Sequence, residues 1–137
     1  MELLYKKLSY DLQGAFIEIR KQYGPGHKEV VYQRALTDEL RYRNIKFINQ
    51  PKIKVYSHRT NKVISYYQPD LLVDDKIIVE IKALKFVLPQ SINQLFDYLK
   101  NSDYELGYFV NFSGEKLLMK RIIYTNNHKP RFRFRVI

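Results

Sequence analysis

The 137-residue chain contains no cysteine, and this absence excludes a disulfide framework, an iron–sulfur cluster and any zinc site built on thiolates. Its three histidines, His27, His58 and His128, are widely separated and show no metal-ligand spacing. No apolar run approaches the roughly 18 residues of a membrane-spanning helix. The first residues also lack the apolar stretch and cleavage site of a signal peptide. We therefore expect a cytoplasmic, non-membrane protein that forms a single domain over residues 1–137.

Acidic residues are outnumbered: 14 Asp and Glu stand against 24 Lys and Arg, which gives a formal net charge of +10 and a pI near 9.7. Because a positive surface concentrates polyanions, this balance favours nucleic acid as the partner class. A basic domain that binds no nucleic acid would have the same composition. Charge alone therefore leaves the partner open, and nothing in the sequence indicates an oligomeric state.

Part of the positive charge lies in a basic and aromatic C-terminal tail, residues 129–137, in which arginine alternates with apolar residues. If this tail forms a strand, Arg131, Arg133 and Arg135 share one face and the apolar residues share the other. Such a face could grip phosphates, or it could belong to an edge strand that its charges protect against aggregation. We favour the edge strand.

Hydrophobic periodicity predicts the element order α-α-β-β-β-α-β-β, without an internal repeat or a linker. Helices are predicted over residues 3–22, 28–43 and 89–100. Strands are predicted over residues 52–57, 63–73, 76–82, 106–111 and 116–124. The second strand is expected to break or bulge at Pro69, because proline cannot donate a hydrogen bond to a strand ladder. This order is typical of an α/β (α+β) domain.

The strand predicted over residues 76–82 carries charge inside an apolar run. Because side chains alternate between the faces of a strand, Ile77, Val79 and Ile81 point to one side while Glu80 and Lys82 point to the other. Charged side chains are rarely buried without a partner. A partner for this pair is therefore expected nearby.

The preceding strand supplies that partner. If residues 74–76 form a three-residue loop, Val73 pairs with Ile77 and Asp70 lies opposite Glu80, with Cβ atoms about 4.5–5.5 Å apart. Two carboxylates that close repel and raise one pKa unless a cation such as Mg²⁺ lies between them. Lys82 could then orient an attacking water. A two-residue turn would separate the carboxylates, and such triplets are often solvated surface, so spacing alone leaves the metal site open.

Two motifs point to a known family. Pro69-Asp70, nine intervening residues and then Glu80-Ile81-Lys82 match the signature of the PD-(D/E)XK nuclease superfamily, and residues 26–32 fit G-x-x-E-x-x-Y. From about Tyr10 to Tyr124 the chain resembles the GxxExxY family of that superfamily, which is related to RecB-like nuclease domains. The resemblance implies a restriction-endonuclease-like core, αβββαβ, in which a central mixed sheet is flanked by helices.

The resemblance also implies a set of metal ligands. Asp70, Glu80 and the main-chain carbonyl of Ile81 would bind Mg²⁺ or Mn²⁺, and Glu29 would reach the metal directly or through water. Without the resemblance, Glu29 is equally well explained as an exposed carboxylate at a helix start, where the helix dipole stabilises negative charge.

Further site residues follow from the same likeness. Lys82 would be the catalytic lysine, and Gln94, one turn before Tyr98, matches the glutamine that RecB-like nucleases place beside the site. Packing and capping near Pro89 would also account for Gln94 and Tyr98.

The implied activity is hydrolysis of DNA phosphodiester bonds by a metal-dependent, sequence-nonspecific deoxyribonuclease. No helix-turn-helix or zinc-finger pattern is present that would supply base readout. The alternative is a non-catalytic module of nuclease fold that binds nucleic acid or a partner protein. A purely structural basic domain would explain the charge but not the charged pair in an apolar strand.

Overall fold

The computed structural model describes residues 4–131, in which three α-helices lie where the periodicity predicts them. They are α1 (Lys6–Tyr23), α2 (Glu29–Tyr42) and α3 (Pro89–Lys100), and a short 3₁₀ helix follows at Asn126–His128. In the part of the chain that the structure describes, no helix has the length and apolar character needed to cross a bilayer.

The strands form a mixed central sheet and a separate hairpin. The strands are β1 (Phe47–Asn49), β2 (Ile53–Tyr56), β3 (Val63–Tyr67), β4 (Leu71–Val73), β5 (Ile77–Lys82), β6 (Leu106–Asn111) and β7 (Leu118–Ile123). Within residues 4–131 the central sheet has the order β1-β4-β5-β6-β7, and β2 pairs with β3. Only the β5–β6 pair is parallel among these described strands, because α3 provides the crossover between them. The predicted α/β class with a mixed central sheet is confirmed.

Helices α1 and α2 cover one face of the central sheet. Ile77, Val79 and Ile81 of β5 pack there with side chains from both helices, among them Phe16 and Leu36. All five side chains are fully buried. The prediction that these three β5 residues face a core is therefore confirmed.

The opposite face of the sheet is covered by α3 and the β2–β3 hairpin. Ile78 of β5 packs there with Leu95 and Leu99 of α3 and with Ile53 and Tyr67 of the hairpin. Because both faces of the sheet are covered, β5 is apolar on both sides until its charged end.

The segment predicted as one strand over residues 63–73 divides between two sheets. Its first part, β3, pairs with β2, and its second part, β4, pairs with β1 and β5. Pro69 lies at the division, where a residue without an N–H cannot continue either ladder. Strand β1 was not predicted, because three residues that are mostly exposed show no alternation of apolar and polar side chains.

The three-residue loop predicted between β4 and β5 is confirmed. Val73 pairs with Ile77, and the N–H of Lys76 donates to the Val73 carbonyl at 2.9 Å. Asp74 and Asp75 have positive φ angles of 51° and 52°, which short polar side chains tolerate better than most. The loop fixes the register that brings Asp70 to Glu80.

The described part of the C-terminal tail is buried rather than strand-like. Lys129, 0% exposed, donates from Nζ to the carbonyls of Ser102 and Tyr104 at 2.7 and 2.6 Å. Arg131, 2% exposed, donates to the same Ser102 carbonyl at 2.7 Å and lies in a helical turn. The predicted edge strand is wrong for Arg131, and the alternative of a phosphate-gripping face is wrong for both residues, because backbone carbonyls after α3 accept hydrogen bonds from their side chains. Residues 132–137 of the predicted tail lie outside the described residues.

Substituting Lys129 tests this role in stability. Lys129→Met keeps the apolar stem but leaves the Tyr104 carbonyl without this donor, so we expect a loss of about 2 kcal/mol in the free energy of unfolding. Urea denaturation at pH 9.5 measures it: burial lowers the pKa of Lys129 to about 8, so at lower pH relief of the buried charge would offset the loss, whereas at pH 9.5 the buried amine is neutral and still donates to the carbonyl. The exposed Lys116→Met is the matched control, with an expected change within about 0.5 kcal/mol. Equal effects of the two substitutions would contradict the role of Lys129.

Candidate active site

Two half-buried carboxylates meet where β4 begins and β5 nears its end. The N–H of Asp70 donates to Glu80 Oε1 at 3.2 Å, and the N–H of Ile81 donates to Asp70 Oδ2 at 2.7 Å. Leu71 pairs with Val79 in the adjoining ladder, so the next position along places Asp70 opposite Glu80. The predicted approach of these two carboxylates is confirmed.

Lys82 lies on the same face of β5 as Glu80. Both side chains are half-buried, and the intervening Ile81 is fully buried on the other face. The positive charge of Lys82 lowers the pKa of Asp70 and of Glu80, which places its ammonium group within electrostatic reach of both carboxylates. The structure thus assembles the predicted Asp70, Glu80 and Lys82 group.

Burial makes negative charge costly in this group. It raises the pKa of Glu80 to about 7, and the neighbouring Asp70 carboxylate adds to the rise. Burial also raises the pKa of Asp70, against the lowering effects of the Ile81 N–H and of Lys82. A bound cation would relieve both effects, because it favours the charged form of each carboxylate.

Glu29 is the first residue of α2, and its position is determined by the hydrogen-bonded turn that joins α1 to α2. Tyr32 holds the turn: its hydroxyl donates to the Gly24 carbonyl at 2.6 Å and accepts the His27 N–H at 3.1 Å. Gly26 has a φ of 98°, which side chains with a Cβ rarely adopt. The first and last residues of G-x-x-E-x-x-Y therefore shape the start of α2, a role that the sequence motif alone did not reveal.

Glu29 is exposed, yet it lies within electrostatic reach of the site. Burial of its carboxyl group raises the pKa of Glu29, the Asp70 carboxylate raises it further and Lys82 lowers it. The structure thus places Glu29 within electrostatic reach of Asp70 and Lys82, although Glu29, Asp70 and Glu80 are not clustered closely enough to hold a metal ion.

The main-chain carbonyl of Ile81 is directed toward the carboxylate pair. In an extended residue the N–H and the C=O point to the same strand edge, and the Ile81 N–H donates to Asp70. The next carbonyl, that of Lys82, points the other way and accepts the Phe112 N–H at 3.0 Å. Pro69, which would continue the ladder opposite Ile81, has no N–H to donate. The carbonyl is therefore available to a ligand at the pair.

Tyr67 belongs to this site, and sequence reasoning missed it. Its hydroxyl donates a hydrogen bond to the Glu80 carboxylate, and its ring stacks on that of Tyr98 with centroids 3.6 Å apart. Tyr67 is the only buried residue of β3, whereas Val63 to Tyr66 are exposed. Apolar side chains occur on both faces of β3, so alternation did not mark Tyr67 as a buried residue. Its position three residues before Asp70 is the sequence feature that could have indicated its role.

Within residues 4–131, no hydrogen bond or ion pair joins Gln94 to the carboxylate pair. It is exposed on α3, one turn before Tyr98, where it lines a shallow polar groove with other residues of that helix. Tyr98 stacks on Tyr67, which in turn binds Glu80. The role of Gln94 stays a prediction.

The oxygen donors present fit a hard divalent cation. Among residues 4–131, no three His, Asp or Glu side chains cluster closely enough to hold a metal ion. Mg²⁺ needs fewer protein ligands than this, because it binds through one or two carboxylates and fills its other coordination positions with water and substrate phosphate. Asp70, Glu80 and the Ile81 carbonyl supply such a set, whereas softer metals prefer imidazole or thiolate.

The fold and this acidic site define a nuclease-fold protein, and comparison with known families agrees. The sequence profile of the PD-(D/E)XK nuclease superfamily matches residues 6–122, so the chain belongs to that superfamily. Its mixed sheet flanked by helices is a restriction-endonuclease-like fold. The crystal structure of SSO0001 is similar over 88% of this chain and 67% of its own, with 16% identity and a TM-score of 0.50, which supports the fold alone. No curated protein matches the chain significantly.

The raised pKa of Glu80 predicts how stability depends on pH in the absence of divalent ions. The folded-state pKa, about 7, exceeds the ordinary value of 4.5. The contribution of Glu80 to the free energy of unfolding is therefore fully present below pH 4.5, where the carboxyl group is protonated, and it is lost as pH rises through 7. Glu80→Gln removes this loss, so we expect it to exceed wild type in stability at pH 8, by up to roughly 3 kcal/mol, and to approach it at pH 5.

Urea denaturation in EDTA at both pH values measures this difference. The exposed Glu115→Gln is the control, and its effect should be small and equal at the two pH values. Adding Mg²⁺ should stabilise wild type and not Glu80→Gln. A constant difference between wild type and Glu80→Gln across this pH range would contradict the assignment.

Proposed function

We propose that this protein is a metal-dependent deoxyribonuclease that hydrolyses DNA phosphodiester bonds without reading base sequence. The observation that carries the proposal is the half-buried contact of Asp70 with Glu80, with Lys82 on the same strand face. Membership of the PD-(D/E)XK nuclease superfamily supports it. Gly26, Glu29 and Tyr32 support the finer assignment to the GxxExxY type.

Asp70, Glu80 and the Ile81 carbonyl would hold Mg²⁺ or Mn²⁺, and Glu29 would join them directly or through water. When bound, such an ion polarises a phosphate and lowers the pKa of its water. The residues of the chain position the ion and the attacking water. One oxygen of each carboxylate is held by a backbone N–H, Glu80 Oε1 by that of Asp70 and Asp70 Oδ2 by that of Ile81, and we propose that the remaining oxygens bind the ion.

Lys82 would position the attacking water and stabilise the charge that develops on the phosphate oxygens. It lies two residues after Glu80 on the same face, so its ammonium group approaches the pair from the end of β5. Its half-buried surroundings strengthen this electrostatic effect relative to bulk water.

The net charge of +10 supplies the affinity for DNA. Lys and Arg contacts to phosphates hold the backbone without specifying bases, so we propose that binding is strongly salt-dependent.

Cleavage assays with site variants test the proposal. Purified protein is incubated with single- and double-stranded DNA in Mg²⁺ or Mn²⁺, beside Asp70→Ala and Lys82→Ala. Each variant should lose at least about 100-fold in cleavage rate, since each removes a metal ligand or a charge-stabilising group, and EDTA should abolish cleavage by wild type. Asp38→Ala is the control for a carboxylate on the exposed side of α2 and should cleave normally.

Two outcomes would contradict the proposal. Cleavage that survives both site substitutions would place the chemistry elsewhere. DNA binding without cleavage in every metal would favour the alternative, a non-catalytic nuclease-fold module.

Gln94 can be tested separately on the same helix. If Gln94 contacts the substrate or the attacking water beside the site, Gln94→Ala should lower kcat about tenfold or more while thermal stability stays within error. Gln90→Ala, an exposed glutamine one turn earlier in the same groove, is the matched control and should leave kcat unchanged. Equal rates for the two variants would remove Gln94 from the site.

A further inference from the structure

An exposed apolar loop follows Lys82 directly. Residues 83–88 connect β5 to α3, and every second side chain from Leu84 onward is apolar and solvent-exposed. Leu84 is 38% exposed, Phe86 is 79% exposed and Leu88 is 63% exposed. Exposed apolar side chains in a contiguous group indicate an interaction surface, and we call these three the apolar loop.

The base of this loop is fixed by a buried side chain. The N–H of Leu84 donates to Asn111 Oδ1 at 2.8 Å, and Asn111 Nδ2 donates to the Leu84 carbonyl at 2.9 Å. Asn111 is 2% exposed and pairs with Lys82 in the β5–β6 register. The loop is also held at its far end, because Val87 packs against the α3-side core. The exposed position of Phe86 is therefore built into the fold.

The size of the apolar loop argues against a protein partner as its main occupant. A large aromatic side chain buries about 150–250 Å², whereas a stable protein interface buries about 800 Å² on each partner. Three side chains provide a fraction of that area. A small, flat, apolar ligand fits this surface better.

The chemistry around the loop favours a nucleobase. Lys85 Nζ lies 5.8 Å from the Phe86 ring centroid, so a cation accompanies the aromatic face. The chain carries a net charge of +10 and the loop begins two residues after Lys82. Proteins that bind single-stranded nucleic acid combine aromatic rings for base stacking with cations for the phosphates.

We propose that Phe86 stacks on an unpaired nucleobase next to the phosphate held at the Asp70–Glu80 pair, so that single-stranded DNA is the preferred ligand. This inference rests on the proposed function for the location of that phosphate. Bases within a duplex are already stacked on their neighbours and offer no free face to the ring. Leu84 and Leu88 flank the stacked base and exclude water from it.

Binding measurements test the stacking. Fluorescence anisotropy in Ca²⁺, a hard cation that takes the same oxygen ligands as Mg²⁺, compares three ligands: a labelled thymidine oligonucleotide, an abasic oligonucleotide of equal length and a blunt duplex. Phe86→Ala should weaken thymidine binding roughly 5- to 150-fold, the effect of losing one base–aromatic stack. Phe86→Tyr should retain wild-type affinity. Tyr42→Ala removes an aromatic side chain that is 84% exposed at the end of α2, and it should not change affinity.

The abasic strand and the duplex separate stacking from other effects. Both keep the phosphates without offering a free base, so Phe86→Ala should change their affinity less than about twofold. An equal loss on all three ligands, an effect on thymidine binding no larger than that of Tyr42→Ala, or no binding of single strands by wild type would each overturn the proposal. The readout is binding, so a failure of cleavage in the earlier assay would leave this result unaffected.

Discussion

The constraint on which the site depends is the contact between Asp70 and Glu80 in half-buried surroundings. Burial and mutual repulsion raise the pKa of Glu80 to about 7, so without a cation this contact opposes stability at neutral pH. The fold holds it nonetheless, because the three-residue loop sets the register and the Ile81 N–H binds the Asp70 carboxylate. Strongly perturbed pKa values of this kind are typical of functional sites.

Residues of both layers that cover the sheet lie around the pair. Tyr67 at the end of β3 binds Glu80 and is itself held by its stack on Tyr98 of α3. On the other face of the sheet, Tyr32 fixes the turn that places Glu29 at the start of α2. These contacts come from both layers that cover the sheet, so the site depends on the complete fold. This is also why Glu80→Gln separates stability from function: it relieves repulsion and removes a proposed ligand.

The sequence predicted most of this arrangement and failed at identifiable places. Apolar periodicity and turn residues located all three helices and the β4–β5 loop. The sequence pattern missed β1, which is too short and exposed to show alternation. It also gave no indication that Lys129 and Arg131 are buried. Their alternation with apolar residues is typical of an edge strand, yet both are buried on the Ser102 carbonyl. A local pattern cannot reveal that carbonyls 25 to 29 residues away need donors.

By itself the sequence predicted the pairing of Asp70 with Glu80 only on the condition of a three-residue loop, and the structure decided that condition by pairing Val73 with Ile77. The sequence also determined the placement of Lys82 on the face of Glu80, and its motifs identified the superfamily. Only the tertiary structure decided which groups surround that pair. Tyr67, Tyr32 and the Asn111 clamp on the apolar loop act across separate elements, and contacts between distant segments arise from packing rather than from local periodicity.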